Sequence, residues 1–482
     1  MNGKMTIYIL GKMLGVEAFV LLIPALVSVI YGESDWKAFL ITSAILVLLS
    51  FIFARKKPKD STIYGKDGFV IIASAWILWS LFGAIPFFIS GAIPSYVDAF
   101  FETVSGFTTT GSTILTNIEA LPKGMNFWRC LTHWIGGMGV LVFVMVIVSL
   151  EDKNSMHLMR AEVPGPETDK LVPKARDTAK ILYGMYFALT LAEILFLLAS
   201  GKMSLYDSII HSFSTAGTGG FSSKNGSIAD YNSAYIDGVI TVFMILFGIN
   251  FNMYYFLMLR KVKAVFKNEE VRTYLGVIVG AIALITINIV KTYGSILSAF
   301  RYASFQVAAI ITTTGFVTAD FEKWPQFSKA ILLTLMVVGA CAGSTGGGMK
   351  VSRILILIKS IGREAKRLLH PKSVNLVKIN GKKIKQDTLQ GVYVYFIAYV
   401  AIFIVSVLIV SINNFDFATT FSGVLTTLNN VGPGISKVGP IENFAKFSDL
   451  SKIVFCFDML VGRLEIFPFL MLFSPNLWRK KF

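Results

Sequence analysis

The chain has 482 residues, 54% of them hydrophobic and only 15% charged, with a mean hydropathy of +0.65. Soluble domains carry about 25% charged residues, so a soluble globular protein, a disordered chain and a disulfide-rich secreted scaffold are excluded and a polytopic membrane protein remains. The formal charge of +16, from 45 Lys and Arg against 29 Asp and Glu, points in so apolar a chain to the membrane surface rather than to nucleic acid. Three cysteines, Cys130, Cys341 and Cys456, lie in or beside apolar runs and leave one unpaired at best, so no redox framework follows.

In chain order, ten apolar runs are long enough to cross a ~30 Å hydrocarbon core. They cover 5–30, 38–54, 69–90, 130–150, 180–200, 238–259, 273–291, 330–358, 389–412 and 452–475. They read as helices because lipid cannot satisfy open backbone groups. The first contains Lys12, Glu17 and Pro24, and without a clear small-x-small cleavage site it reads as a span rather than a signal peptide. With both termini and every second loop in the cytosol, the inside holds 32 of the 45 Lys and Arg residues and the outside 12, Arg463 lying within a span. That asymmetry obeys the positive-inside rule. The densest inside segment, 350–387, reads as a solvated loop near anionic headgroups, or as a docking surface for a cytosolic partner.

Between pairs of spans lie four more uncharged stretches, 103–118, 208–223, 302–319 and 417–436, rich in Thr, Ser, Gly and Asn. A full crossing by each would upset the charge asymmetry. A half-crossing that enters and returns would not, and non-helical backbone is tolerated at membrane depth where it lines a watery cavity. The stretches align without gaps from Glu102 to Gly111, His211 to Gly220, Gln306 to Gly315 and Gly423 to Gly432. The spacing predicts a span–pore loop–span unit repeated four times after two extra helices. The expected divisions are 1–66 for the extra helices, then repeats over 67–150, 151–260, 261–360 and 361–482. Ser95 with Asp98 and Ser204 with Asp207 read as helix N-caps, while Ser295 and the pair Asn414 and Asp416 are weaker candidates.

Four such loops suit a bare cation, whose lost hydration shell can be replaced by rings of backbone carbonyls. Glycine frees the backbone to turn successive carbonyls toward one axis. Short helices aiming their C-terminal ends at the cavity would favour a cation. The candidate ion-binding residues are Thr109, Thr110 and Gly111, Thr218, Gly219 and Gly220, Thr313, Thr314 and Gly315, and Asn430, Val431 and Gly432.

These four motifs resemble the pore-forming subunits of the Trk/Ktr/HKT potassium transporter superfamily. The two extra helices and the segment 160–180 resemble its bacterial TrkH type. The resemblance implies an all-α integral membrane protein with the four repeats in pseudo-fourfold arrangement, carrying K⁺ inward across the bacterial inner membrane. It implies a homodimer and a cytosolic partner ring of the TrkA type with nucleotide-binding domains. No nucleotide fold is visible in this chain itself. A Na⁺ or Na⁺/K⁺ transporter on the same scaffold and an inverted-repeat solute symporter are the alternatives, and channel versus coupled symport stays open.

Two features mark a candidate gate. The eighth span is interrupted by Gly343, Gly346, Gly347 and Gly348, and each glycine costs about 1 kcal/mol in a helix interior. The phosphate-loop pattern is not met, since Met349 precedes Lys350 and Val351 follows. Arg463 lies mid-span, where a charge must face protein or water and be paired; Asp458 and Glu465 are its candidate partners. The resemblance implies an intramembrane loop below the filter and an arginine in the permeation path. Gly136, Gly137 and Gly139 read as close helix packing, and Glu193 as a satisfied core polar group. His133, His157, His211 and His370 show no metal-ligand spacing and no catalytic grouping is evident, so an enzyme is not expected.

Overall fold

A computed structural model describes residues 2–60, 62–139, 175–373 and 375–475. The segment 160–180 and the second half of the expected span 130–150 lie largely outside these residues. Helix α1 (Gly3–Val20) and α2 (Leu22–Ile30) form one 28-residue apolar run with only Leu21 between them, and α3 (Trp36–Ala54) packs along α1. The approach is close: a Cβ added at Gly15 would press on Ser50 and one at Gly11 on Phe53. Small residues are what let helices meet where no hydrophobic force pulls them together.

One succession of elements then recurs four times: a long helix, a short helix packed on it, and a third helix. It comprises α4 (Gly65–Ile89), α5 (Tyr96–Phe107) and α6 (Lys123–Gly137); then α7 (Ala175–Leu198), α8 (Leu205–Gly217) and α9 (Ala234–Phe247). After α10 (Phe251–Met258) and α11 (Val262–Lys267) come α12 (Glu269–Tyr293), α13 (Ile296–Ile311) and α14 (Gln326–Val338). Helix α15 (Val351–Leu369) and a two-residue hairpin, β1 (Lys378–Ile379) with β2 (Lys382–Lys383), precede α16 (Gln386–Val410), α17 (Phe417–Leu428), α18 (Asp449–Arg463) and α19 (Phe467–Leu470). The hairpin is the one departure from an all-helical chain among the described residues.

The short helices have 12, 13, 16 and 12 residues, or about 18–24 Å, too short to cross a bilayer. Their starts follow from their caps. Ser95 accepts from the Asp98 amide at 3.4 Å and Ser204 from the Asp207 amide at 3.0 Å. In the fourth copy the cap is Asp416, accepting from the Thr419 amide at 2.9 Å, while Asn414 takes a left-handed turn before it. Ser295 makes no side-chain cap bond.

Three expected spans are broken. Between α9 and α10 the chain bends by 91°. The run 330–358 divides at Val338 and resumes helix only at Val351, with Gly339, Gly343 and Gly348 at positive φ between. The run 452–475 divides after Arg463, where Glu465 and Ile466 adopt positive φ. The second break is the one its glycines announce; hydropathy, which averages over a window, does not register the single backbone turns of the other two. With the expected span 130–150 only partly among the described residues, six helices there, or seven with the bent pair counted as one, are long and apolar enough to cross a membrane.

The Asp416 cap is testable. The Thr419 hydroxyl, more than any other group, holds the Asp416 carboxyl below its ordinary value. A carboxyl lowered on folding adds stability that is complete above its unfolded pKa and lost as pH falls through the folded one. Asp416→Ala should cost about 1 kcal/mol, read as a lower unfolding temperature at neutral pH, and the deficit should shrink on acidification.

Candidate functional site

Each short helix ends just before one of the four aligned glycines. Helix α5 stops four residues before Gly111, α8 three before Gly220, and α13 and α17 four before Gly315 and Gly432. Four partly negative helix ends therefore abut the same segments. The backbone of those segments repeats as well. Two residues before each glycine stands a side-chain-bearing residue in the left-handed region: Thr109 (φ 55°), Thr218 (56°), Thr313 (59°) and Asn430 (55°). The glycines follow at 80°, 76°, 75° and 105°. For a β-branched threonine this conformation costs of order 1–3 kcal/mol and persists only where the surroundings enforce it.

The four segments close into a ring. A Cβ added at Gly111 would overlap the Gly219 carbonyl oxygen, one at Gly220 the Thr314 oxygen, and one at Gly315 the Val431 oxygen. One at Gly432 would lie 2.8 Å from the Thr110 oxygen, which returns the sequence to its start. All of the remaining candidate ion-binding residues sit on this ring, and the side chains of Thr110, Thr218, Thr313, Thr314 and Asn430 are fully buried. Ties within and between segments fix it. Thr108 and Thr110 share a 2.8 Å hydroxyl bond, as Thr312 and Thr314 do at 2.7 Å. Asn430 Nδ2 donates to Thr110 Oγ1 at 2.9 Å, and Ser112 Oγ to the Gly432 carbonyl at 3.0 Å. On the side of the residues that follow the glycines, a cavity of about 160 Å³ touches all four of them.

The opposite side is covered by the non-helical segment 339–350. The Gly347 amide donates to Thr313 Oγ1 at 2.6 Å and the Gly348 amide to the Asn429 carbonyl at 2.9 Å. Its flanks are anchored too. The Cys341 amide donates to the Gly248 carbonyl at 3.1 Å, and the Phe251 amide to the Gly343 carbonyl at 3.0 Å. The Glu270 carboxylate accepts from the Ala342 amide at 2.7 Å and the Ser352 amide at 3.2 Å. Lys350 Nζ donates to the Gly346 carbonyl. The structure thus brings Gly346, Gly347 and Gly348 against the ring segments, while Gly343 lies on the flank beside Asn250.

Arg463 reaches the same place from α18. Its Nη1 donates to the Thr345 carbonyl at 2.7 Å, and its Nη2 to the carbonyls of Gly136 and Gly137 at 2.5 and 2.7 Å. Gly136 belongs to the first recurrence and Thr345 to the third, which stand opposite in the ring order. The guanidinium therefore ties the first recurrence to the segment beneath the ring. The candidate carboxylates are otherwise engaged: Glu465 pairs with Arg353, and Asp458 Oδ1 accepts from Ser406 at 2.6 Å. Carbonyls, which carry no residue label, were not legible as partners. Nor were Glu270, Lys350 or the buried pair of Glu102 and Arg129 (2.5 Å). Gly136 also packs tightly, a Cβ there overlapping the Phe107 carbonyl.

A family model described as "TrkH: Cation transport protein" matches residues 36–480. The chain belongs to the TrkH family. The Trk system potassium uptake proteins TrkH of Salmonella typhimurium and of Escherichia coli K12 are each 36% identical to it over 478 residues, covering 98% of both chains. TrkG of E. coli K12 is 32% identical over 485 residues, 99% of each. The crystal structure of the potassium transporter TrkH from Vibrio parahaemolyticus superposes with a TM-score of 0.89 at 33% identity, over 99% of this chain and 100% of that one. The multi-pass helical fold is thus a TrkH fold.

Within it, Gly111→Ala tests the ring. A methyl group directed at a backbone oxygen, at φ 80°, should destabilise the protein by about 1–3 kcal/mol. A thermal unfolding curve of the purified variant should shift down, whereas the same change at open Gly276 should not lower it.

Proposed function

We propose that this chain is the pore-forming subunit of a potassium uptake system, moving K⁺ inward across the cytoplasmic membrane. The carrying observation is the closed ring in which each of four glycines abuts a neighbouring carbonyl. In this reading Thr109 to Gly111, Thr218 to Gly220, Thr313 to Gly315 and Asn430 to Gly432 form the selectivity filter. Their carbonyl oxygens stand in for the water that K⁺ sheds. The four helix C-termini bias the site toward cations.

Below the filter, the loop with Gly343 and Gly346 to Gly348 obstructs the path, and Arg463 adds a fixed positive charge that opposes K⁺. The loop's bonds to Thr313 and Asn429 support its obstructing role. Inward movement is favoured by about 2.3 kcal/mol per charge per 100 mV of membrane potential, so modest accumulation needs no nucleotide at this chain. Repeats over 67–150, 151–260, 261–360 and 361–482, cytosolic termini, a homodimer and a TrkA-type regulatory ring complete the proposal. The relatives TrkH and TrkG are Trk system potassium uptake proteins, which supports the choice of ion.

The test is ion flux into proteoliposomes holding the purified chain. K⁺ and Rb⁺ should enter well ahead of Na⁺; equal entry of Na⁺ favours the sodium-transporting alternative, and a dependence on an imposed proton gradient favours coupled symport. Arg463→Ala should raise K⁺ flux, and so should a short linker in place of 343–348. Lower flux from Arg463→Ala at equal incorporation argues that the arginine is structural.

A further inference from the structure

Counting back nine residues from each filter glycine gives Glu102, His211, Gln306 and Gly423. In three of the four copies this side chain, fully buried on the short helix, reaches back to the limb that follows the glycine. Glu102 accepts from Thr113 Oγ1 at 2.9 Å and from the Ile114 amide at 3.0 Å. His211 Nε2 meets Ser222 Oγ at 2.9 Å, with Nδ1 on the Asp207 carbonyl at 2.7 Å. Gln306 Nε2 donates to Thr318 Oγ1 at 3.4 Å. In the fourth copy Gly423 has no side chain, and the neighbouring Ser422 takes over, accepting from the Ile435 amide at 3.0 Å and donating to its carbonyl at 3.2 Å. Apart from the His211 Nδ1 bond to its own helix, every bond lands two or three residues beyond its glycine. Sequence alone hides this, because the four residues share no chemistry.

The first copy differs in strength. Glu102 is held by Arg129 at 2.5 Å, and Arg129 Nη1 also donates to the Ser222 carbonyl at 3.3 Å on the second copy's limb. The guanidinium lies 3.5 Å from the centre of the Phe221 ring. One neutral ion pair thus ties the outgoing limbs of two adjacent copies. Both members are at most 2% exposed, so their hydrogen bonds are strong and costly to leave unmade.

From this we infer that Glu102, fixed by Arg129, is a specificity-determining positioning residue of the filter, the strongest member of a fourfold set of clamps that hold the carbonyl ring at one diameter. A filter free to contract would coordinate a smaller cation as well. The clamps therefore act on discrimination between K⁺ and Na⁺ rather than on throughput. The inference rests on the filter reading above.

The experiment measures Rb⁺ and Na⁺ entry into proteoliposomes of the full chain and compares Glu102→Gln, Thr113→Val and Gln306→Leu with the unaltered protein. Each preparation is checked by thermal unfolding. Losing a charge-assisted bond shifts an equilibrium by about tenfold, so the Rb⁺/Na⁺ ratio should fall by up to about tenfold in Glu102→Gln. It should fall less in Thr113→Val, which leaves Arg129 and the Ile114 amide on the Glu102 carboxylate, and in Gln306→Leu, which removes one neutral bond. A folded Glu102→Gln that slows both ions equally, its ratio kept, overturns the inference, since that is what an unbalanced Arg129 charge alone would do. If Glu102→Gln does not fold, an unchanged ratio in both milder variants overturns it equally. An unaltered protein that fails to discriminate at all would instead sink the filter reading itself.

Discussion

The structure depends on one close approach: four stretches of backbone meeting edge to edge at a depth where a chain ordinarily hides its polar groups inside a helix. Bare carbonyls there are costly unless they are gathered around something that needs them. The approach leaves no room for a side chain at Gly111, Gly220 or Gly315, where a carbonyl oxygen of the next segment occupies the position a Cβ would take. The left-handed threonines before those glycines are part of the same demand, since strained dihedrals survive only where packing and hydrogen bonds over-determine them. The short capped helices, the hydroxyl pairs and the buried Glu102–Arg129 pair are the supports of that one arrangement.

Charge is placed with the same economy. Three ionic pairs are matched locally: Glu102 with Arg129, Glu465 with Arg353, and Lys452 with Asp98 at 2.5 Å. Arg463 instead donates to the carbonyl oxygens of Thr345, Gly136 and Gly137, and so ties two elements of the chain together through their backbone.

What could be read from sequence was what repeats or accumulates. The apolar runs, the charge asymmetry and four glycines at a common offset are sums over many residues, and they located the two leading helices and the four segments that meet in the ring. The caps Ser95 and Ser204 were legible because an acidic residue follows each at the right spacing. Asp416 was overshadowed by Asn414, two plausible caps standing two residues apart. The break over 339–350 was legible from its run of glycines, whereas those at Gly248 and after Arg463 were not, because each depends on the dihedrals of a few residues within an apolar window. Arg463 was misassigned to Asp458 and Glu465 for a related reason: a side chain can be named as a partner in advance, whereas a carbonyl becomes one only through the fold.

The bend between α9 and α10 has a consequence of its own. A helix broken by 91° strands backbone donors and acceptors at the break, and here the Gly248 carbonyl and the Phe251 amide are completed by Cys341 and Gly343. Each of two irregular segments is the other's missing hydrogen-bond complement, so neither can depart alone without exposing raw peptide to a dry interior. In the proposed pathway, withdrawal of the segment beneath the ring would therefore either wet that corner or carry the kinked helix along with it.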